Sequence, residues 1–290
     1  MKSITLLSPA KINLTLDVLW KRPDGYHEIV SIMQPVSVFD EVRVSIEEGE
    51  GIEVESRELR IMDVRDNLAW KAADLFLREC GEKNKRVNVN IRKRIPVGAG
   101  LGGGSSNAAA VLVGLNRLLR AFGEDELIRM SASIGADVAF FIHSRSAIAC
   151  GIGEKITLLR NFPNFYYVIV NPGFEVSTKE IYKLWDKIGK VRSLDDLKLE
   201  DTIHLFKRGE FPLSNSLEEV AVSLYPEIRE LKEVLENMGA GAVSMTGSGP
   251  SVFGVFKDNQ SAYKIYEYLR SNTRFKVFVA QGISGWHILI

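Results

Sequence analysis

The sequence predicts a two-domain α+β fold on three observations. A long two-residue alternation stands near the start, helical runs are interspersed with further strand runs through the first half, and a fresh strand-and-helix pattern begins after an interruption at Gly151 to Leu159. At 290 residues the chain exceeds the usual single-domain size, and each half is long enough to bury a core of its own.

From Ser8 to Val18, the residues Ala10, Ile12, Leu14, Leu16 and Val18 share one face of a strand, and Lys11, Asn13, Thr15 and Asp17 share the other. This is the pattern of a half-buried strand. Arg22-Pro23-Asp24-Gly25 has turn chemistry, and strand runs follow at Ile29 to Met33, Val36 to Phe39 and Val42 to Ile46. Asp66 is expected to cap a helix from Asn67 to Glu79. Val87 to Ile91 alternates again and leads into a glycine-rich loop. A helix from Ala108 to Leu119 comes next, with Ser105 and Ser106 as good N-cap types, and then a helical stretch from Glu124 to Ser133. The Gly-Ile-Gly segment at 151–153 interrupts the pattern, which divides the chain into domains of residues 1–155 and 156–290. Beyond it the expected elements are a strand at Phe165 to Val170, a helix from about Ser177, helices at Glu218 to Tyr225 and Glu227 to Met238, a strand at Ser251 to Phe256, a helix at Asn259 to Ser271 and a strand at Phe275 to Ala280.

Lys plus Arg and Asp plus Glu number 37 each, so the net charge is zero and no global field draws the chain to nucleic acid or an anionic membrane. Small-molecule partners are expected instead. Cys80 and Cys150 are far apart and lack metal-ligand spacing, which speaks against a disulfide framework or a zinc site and for the cytoplasm. Met1 to Ser8 is too short for a secretory signal, and no apolar run approaches the roughly 18 residues of a membrane span.

Residues 96–107, Pro-Val-Gly-Ala-Gly-Leu-Gly-Gly-Gly-Ser-Ser-Asn, place five glycines and two hydroxyls directly ahead of a helix. Glycines let successive N–H groups point inward, and a helix start adds free donors and partial positive charge, so the natural occupant is a phosphate. Gly98, Gly100 and Gly103 satisfy a dinucleotide G-x-G-x-x-G spacing, but a helical stretch rather than a strand ending in an acidic residue follows. No Gly-Lys-Ser or Gly-Lys-Thr follows the loop, and the Val-Ala-Ile-Lys and His-Arg-Asp motifs of protein kinases are missing from the sequence.

Phosphoryl transfer needs a phosphate cradle, a group to handle the nucleophile's proton and cations to offset developing charge. Asp137, ahead of the apolar run Val138 to Ile142, is the candidate base; the competing reading is an ordinary N-cap. Lys11 and Asn13 alternate on one strand face and either project into a cleft together or are solvated. In Asp24-Gly-Tyr-His-Glu28 an aromatic ring and an imidazole sit side by side, suited to a heterocycle, unless Tyr26 is simply a buried turn residue. A second glycine cluster, 239–250, permits close backbone packing, and two such clusters suggest an interdomain cleft.

Ser8-Pro-Ala-Lys-Ile-Asn-Leu14, Pro96 to Asn107, Gly135-Ala-Asp-Val138 and Thr246-Gly-Ser-Gly-Pro-Ser-Val252 together resemble the ordered motifs of the GHMP small-molecule kinases, and the match spans the chain. Within that superfamily, Asp24 to Glu28 and the long glycine loop are most similar to the branch acting on 4-diphosphocytidyl-2-C-methyl-D-erythritol. Ala139 stands where that branch commonly has proline, and Tyr182 where some members have Phe.

The resemblance implies an N-terminal domain with a left-handed βαβ unit and a ferredoxin-like C-terminal domain. It also implies phosphorylation by ATP, with Mg²⁺, of the C2 hydroxyl of a CDP-linked methylerythritol in the non-mevalonate isoprenoid pathway. Lys11 and Asp137 match the catalytic pair. Tyr26 and Tyr182 fall where cytosine is sandwiched, His27 where the base edge is read, and Asn13 near the reacting end of the substrate. Asn67 falls in the adenine pocket, and Pro96, Val97, Gly98, Ala99, Gly100, Leu101, Gly102, Gly103, Gly104, Ser105 and Ser106 wrap the ATP phosphates, with Ser106 the one named contact for the metal. A monomer or weak homodimer is expected. The alternatives are a GHMP kinase of mevalonate-like or homoserine-like alcohols, which would not need Tyr26, His27 and Tyr182 together, or a non-catalytic nucleotide- or RNA-binding protein using the basic runs Lys83 to Arg86 and Arg92 to Arg94.

Overall fold

The computed structural model describes residues 1–56, 64–82 and 84–289, so Lys83 of the first basic run lies outside the described residues. In chain order the elements are β1 (Lys2–Lys21), β2 (His27–Glu48), β3 (Ile52–Glu55), α1 (Leu68–Cys80), β4 (Lys85–Arg92), α2 (Gly103–Leu119), α3 (Glu124–Ala132), α4 (Val138–His143), β5 (Ala147–Gly151) and β6 (Lys155–Leu158). They continue with β7 (Tyr166–Asn171), α5 (Thr178–Ile188), α6 (Leu199–Lys207), β8 (Ser214–Asn215), α7 (Glu218–Leu224), α8 (Glu227–Asn237), β9 (Ala242–Met245), β10 (Val252–Phe256), α9 (Asn259–Asn272), β11 (Lys276–Gln281) and β12 (His287–Leu289).

The first sheet runs β12-β1-β2-β4-β3, with β5 on β2, β6 on β5 and β8 on β1. β3 and β4 are parallel neighbours joined through α1, the βαβ unit of this half. The second sheet runs β11-β7-β10-β9, all antiparallel, which is the ferredoxin-like strand order. Two short strands from beyond residue 156, β8 and β12, return to pair with β1 and so cover the edge it would expose.

The three strand runs expected between Ile29 and Ile46 are one continuous strand. Pro35 pairs with Lys11 inside the ladder, and register shifts at Pro9/Ala10, Asn13/Thr15 and Val18/Trp20 absorb the irregularities. β1 is buried on both faces rather than half-buried: Lys11 is 4% and Asn13 3% exposed. Ala10, Ile12 and Leu14 pack against Tyr167, Ile169, Phe253 and Val255, a core between the two sheets. A second core lies under α1, α2 and α4, and a third between the second sheet and α5, α7, α8 and α9.

Two expected caps are corrected. α1 is capped by Asn67, whose Oδ1 accepts from Ala69 N at 2.8 Å, while Asp66 belongs to a short 3-10 turn before it. α2 begins at Gly103, with Gly102 in left-handed backbone at its N-cap; Ser105 and Ser106 lie inside its first turn. Glycines without side chains let the helix start earlier than an apolar pattern can reveal.

Candidate active site

Between the two sheets lies a cleft of about 1030 Å³, lined from the first half by Lys11, Asn13, Tyr26, His27, Gly98, Gly100, Gly102, Ser105 and Asp137, and from the second by Thr178, Tyr182, Lys183, Asp186, Gly247 and Ser248. That is at the upper end of single-ligand pockets, with room for two co-substrates.

The floor is β1. Lys11 Nζ donates to Asn13 Oδ1 at 2.6 Å and stands 3.8 Å from Asp137 Oδ2. Burial pushes the Lys11 ammonium below its ordinary value, and Asp137 opposes the shift by attraction and hydrogen bonding. Asn13 Nδ2 donates to Ser31 Oγ at 2.8 Å, and the bulge beside Asn13 twists β1 here, a common device for aiming side chains at a site. Asp137 occupies the N-cap position of α4 but makes no side-chain cap bond, so the N-cap reading fails and the carboxylate faces the cleft, 30% exposed.

The glycine loop closes over this floor. Lys11 N donates to Leu101 O at 3.0 Å, tying the loop to β1. Ser106 N makes the first helical bond, to Gly102 O at 2.9 Å, so the N–H groups of Gly103, Gly104 and Ser105 stand ahead of the helical ladder. Gly100 (φ +74°) and Gly102 (φ +71°) are required twice over, by left-handed backbone and by space. A Cβ on Gly100 would run into the carbonyl of Thr246, and one on Gly102 would lie 2.9 Å from the Phe141 ring and 3.0 Å from Lys11 Cγ. The second glycine cluster packs here as its composition suggested: Thr246 Oγ1 lies 3.3 Å from Gly100 O and 3.2 Å from Asn13 Oδ1.

Not every expected loop residue reaches the cleft with its side chain. Ala99 and Leu101 point into the core, and Val97 is exposed. Pro96, Gly103 and Gly104 do not line the cleft, nor does Asn67. The Ser106 hydroxyl is fully buried 2.7 Å from Ser8 Oγ, while Ser105 is on the cleft wall.

At the far end a tight turn, held by Arg22 N to Tyr26 O at 2.7 Å, presents Tyr26 60% exposed, against the buried-tyrosine reading. His27 is buried, stacked on Tyr182 (centroids 4.7 Å, 30°) and edge-on to Trp185 (5.5 Å, 90°). Ile181 and Trp185 anchor α5 in the core, which turns Tyr182 and Asp186 toward the cleft. Burial, and then the charge of Asp137, push the Tyr182 hydroxyl well above its ordinary value, so the ring is neutral. His27 Nε2 lies 2.7 Å from Asp186 Oδ1, and Lys21 Nζ bonds Asp186 Oδ2. Burial works against the Asp186 carboxylate, but the bonds from Lys21 and His27 outweigh it and hold its pKa below the ordinary value. Sequence reasoning missed Asp186 and Lys21. The signal was there: Asp186 is four residues from Tyr182 on one helix face.

The basic runs are largely engaged internally: Lys85 pairs with Glu48, Arg86 with Glu53 and Lys93 with Asp40. Among the described residues no helix is long and apolar enough to cross a membrane.

The GHMP kinases N terminal domain family matches residues 67–145, and the GHMP kinases C terminal family residues 196–274. A Citrifermentans bemidjiense protein named 4-diphosphocytidyl-2-C-methyl-D-erythritol kinase is 42% identical over 90% of this chain and 92% of its own. The protein of the same name from Geobacter sulfurreducens is 40% identical over 96% of this chain and 99% of its own. A crystal structure of a 4-(cytidine 5'-diphospho)-2C-methyl-D-erythritol kinase superposes with a TM-score of 0.80 at 36% identity, covering 97% of this chain and 100% of that one. With its two family domains and relatives matched along nearly their whole length, the chain belongs to the GHMP kinases and, within them, to the 4-diphosphocytidyl-2-C-methyl-D-erythritol kinase family.

Proposed function

We propose that this chain transfers the terminal phosphoryl group of ATP to the C2 hydroxyl of 4-diphosphocytidyl-2-C-methyl-D-erythritol, giving the 2-phosphate and ADP in the non-mevalonate route to isoprenoid precursors. The observation that carries the reading is one cleft holding three parts: the Lys11–Asp137 pair, the open N-terminus of α2 and the Tyr26–His27–Tyr182 cluster.

Gly98, Gly100 and Gly102 of the loop and Ser105 in the first turn of α2, all on the cleft wall, receive the ATP phosphates, where the helix dipole favours anions. Lys11 lies between Asn13 and Asp137, close under the loop at Gly102, and offsets charge on the transferring group. Asp137 accepts or orients the proton of the attacking hydroxyl. Tyr26, Tyr182 and His27 hold the cytosine and so place the distant hydroxyl at Asp137. Mg²⁺ suits this donor set as a companion of ATP: among the described residues no group of three or more acidic, His or Cys side chains is built to cage a metal, while Asp137 and the Ser105 hydroxyl face the cleft. When bound it would supply charge neutralisation for the transferring phosphoryl group. Residues 1–155 bring the ATP cradle and both catalytic side chains, and 156–290 bring Tyr182.

CDP supplied alone is expected to inhibit competitively against the alcohol substrate and not against ATP, measured by steady-state ADP formation. Inhibition competitive against ATP alone would place the cytidine in the wrong site.

A further inference from the structure

His27 is held on three sides. Its ring is stacked on Tyr182, meets Trp185 edge-on and has Nε2 2.7 Å from Asp186 Oδ1, while Nδ1 makes no hydrogen bond among the described residues. The other oxygen of Asp186 takes Lys21 Nζ, and Lys21 is the direct cross-strand partner of His27. Asp186 and Lys21 line the cleft at its His27 end.

A carboxylate is an acceptor only, so the His27 nitrogen facing it must carry the proton. In the neutral ring the other nitrogen, Nδ1, is then a bare lone pair, as hydrogen-bond partners fix histidine tautomers elsewhere, and His27 is part of the cleft wall. Cytosine presents an amine at position 4, whereas uracil-type bases present a carbonyl oxygen there.

We propose that Asp186, with Lys21, is a positioning residue that fixes His27 as the Nε2–H tautomer and so makes Nδ1 an acceptor for an exocyclic amine, selecting cytosine over uracil. This rests on the cytidine-substrate reading above.

Asp186→Asn tests it with almost no change of shape. Lys21 carries only donors and takes the amide oxygen, so the amide NH₂ faces Nε2, which must accept, and the ring proton moves to Nδ1. Long-range ¹H–¹⁵N NMR of the ligand-free protein, which has four histidines in all, reads the change directly. Wild type is expected to show His27 protonated at Nε2 and the variant at Nδ1. The inhibition constant of CDP is expected to rise about tenfold or more, the worth of one well-made hydrogen bond to a buried polar group, while that of UDP holds or improves. KM for the cytidyl substrate rises with it, and kcat falls by less. Asp186→Glu, which keeps an acceptor-only carboxylate, restores the Nε2–H tautomer and much of the CDP preference.

A wild-type His27 protonated at Nδ1, an unchanged tautomer and CDP/UDP ratio in Asp186→Asn, or a Glu variant indistinguishable from the Asn variant would each overturn the role of Asp186. Binding of neither nucleotide would overturn the cytidine reading instead. The tautomer is read without ligand, so the two failures are told apart.

Discussion

Replacing Asp137 with alanine is expected to lower kcat by roughly 10²–10⁴-fold, the usual contribution of a positioned acid–base group. KM for ATP should change far less, because the proposed phosphate cradle is backbone of the glycine loop and does not involve this carboxylate. Asp137 stands at the head of α4 with its side chain making no cap hydrogen bond, 3.8 Å from a buried ammonium and partly open to the cleft. A carboxylate relieved of structural duty there is free to take a proton. Removing it also removes the group that supports the charge of Lys11, whose pKa burial already lowers, so part of the loss arises because less Lys11 is charged. Steady-state kinetics with saturating ATP, beside a thermal melt to show an intact fold, checks the prediction. Full turnover in Asp137→Ala would remove both assigned roles.

The second large effect is expected at Asp40, which touches no substrate. Asp40 is fully buried on β2; one carboxylate oxygen bonds the Lys93 ammonium, and the other accepts from Arg94 N at 2.7 Å and Ile95 N at 2.8 Å. These are the residues from which the chain turns into the glycine loop. Lys93 Nζ in turn lies beneath Gly103 at the start of α2, 3.1 Å from where a Cβ would stand. Asp40→Ala leaves a buried ammonium and two backbone donors without their acceptor. Breaking a buried pair from one side costs about 3–5 kcal/mol, and the expected result is a loss of that size in urea unfolding, with a raised KM for ATP from the loosened loop. A loss below about 1 kcal/mol would show that water reaches Lys93 and satisfies it.

Periodicity and turn chemistry made much of this fold legible. The alternation from Ala10 to Val18 is a strand, Ser177 and Asp258 cap the helices expected after them, and the expected second-half strands and helices fall within a residue or two of their patterns, while α6 and β9 were not expected. What was not legible depends on partners distant in sequence. β1 reads as half-buried because Lys11 and Asn13 are polar, yet both are buried by the glycine loop and Thr246, which no local pattern reveals. The single strand β2 looks like three because Pro35 and Asp40 interrupt it; each is accommodated by a tertiary contact, Pro35 O accepting from Ile283 N and Asp40 binding Lys93. β8 and β12 are too short to carry a period at all.

The site divides the same way. Residue type and spacing made Lys11, Asn13 and Asp137 separate candidates, but the pairing of Lys11 with Asp137, like the cytosine cluster, rested on family resemblance. Asp186 stayed hidden because an acid on an exposed-looking helix face ordinarily signals solvent; only the fold of α5 against β1 and β2 brings it to Lys21 and His27. A hydroxyl after a glycine loop suggests a ligand contact, while helix geometry turns that of Ser106 inward to Ser8.

The central claim is most directly tested by incubating the protein with ATP, Mg²⁺ and 4-diphosphocytidyl-2-C-methyl-D-erythritol, beside mevalonate and homoserine, and following the products by phosphorus NMR. A new phosphomonoester on the cytidyl compound alone, formed together with ADP, is the predicted result. Transfer to mevalonate or homoserine in its place, or to none of the three, would contradict it.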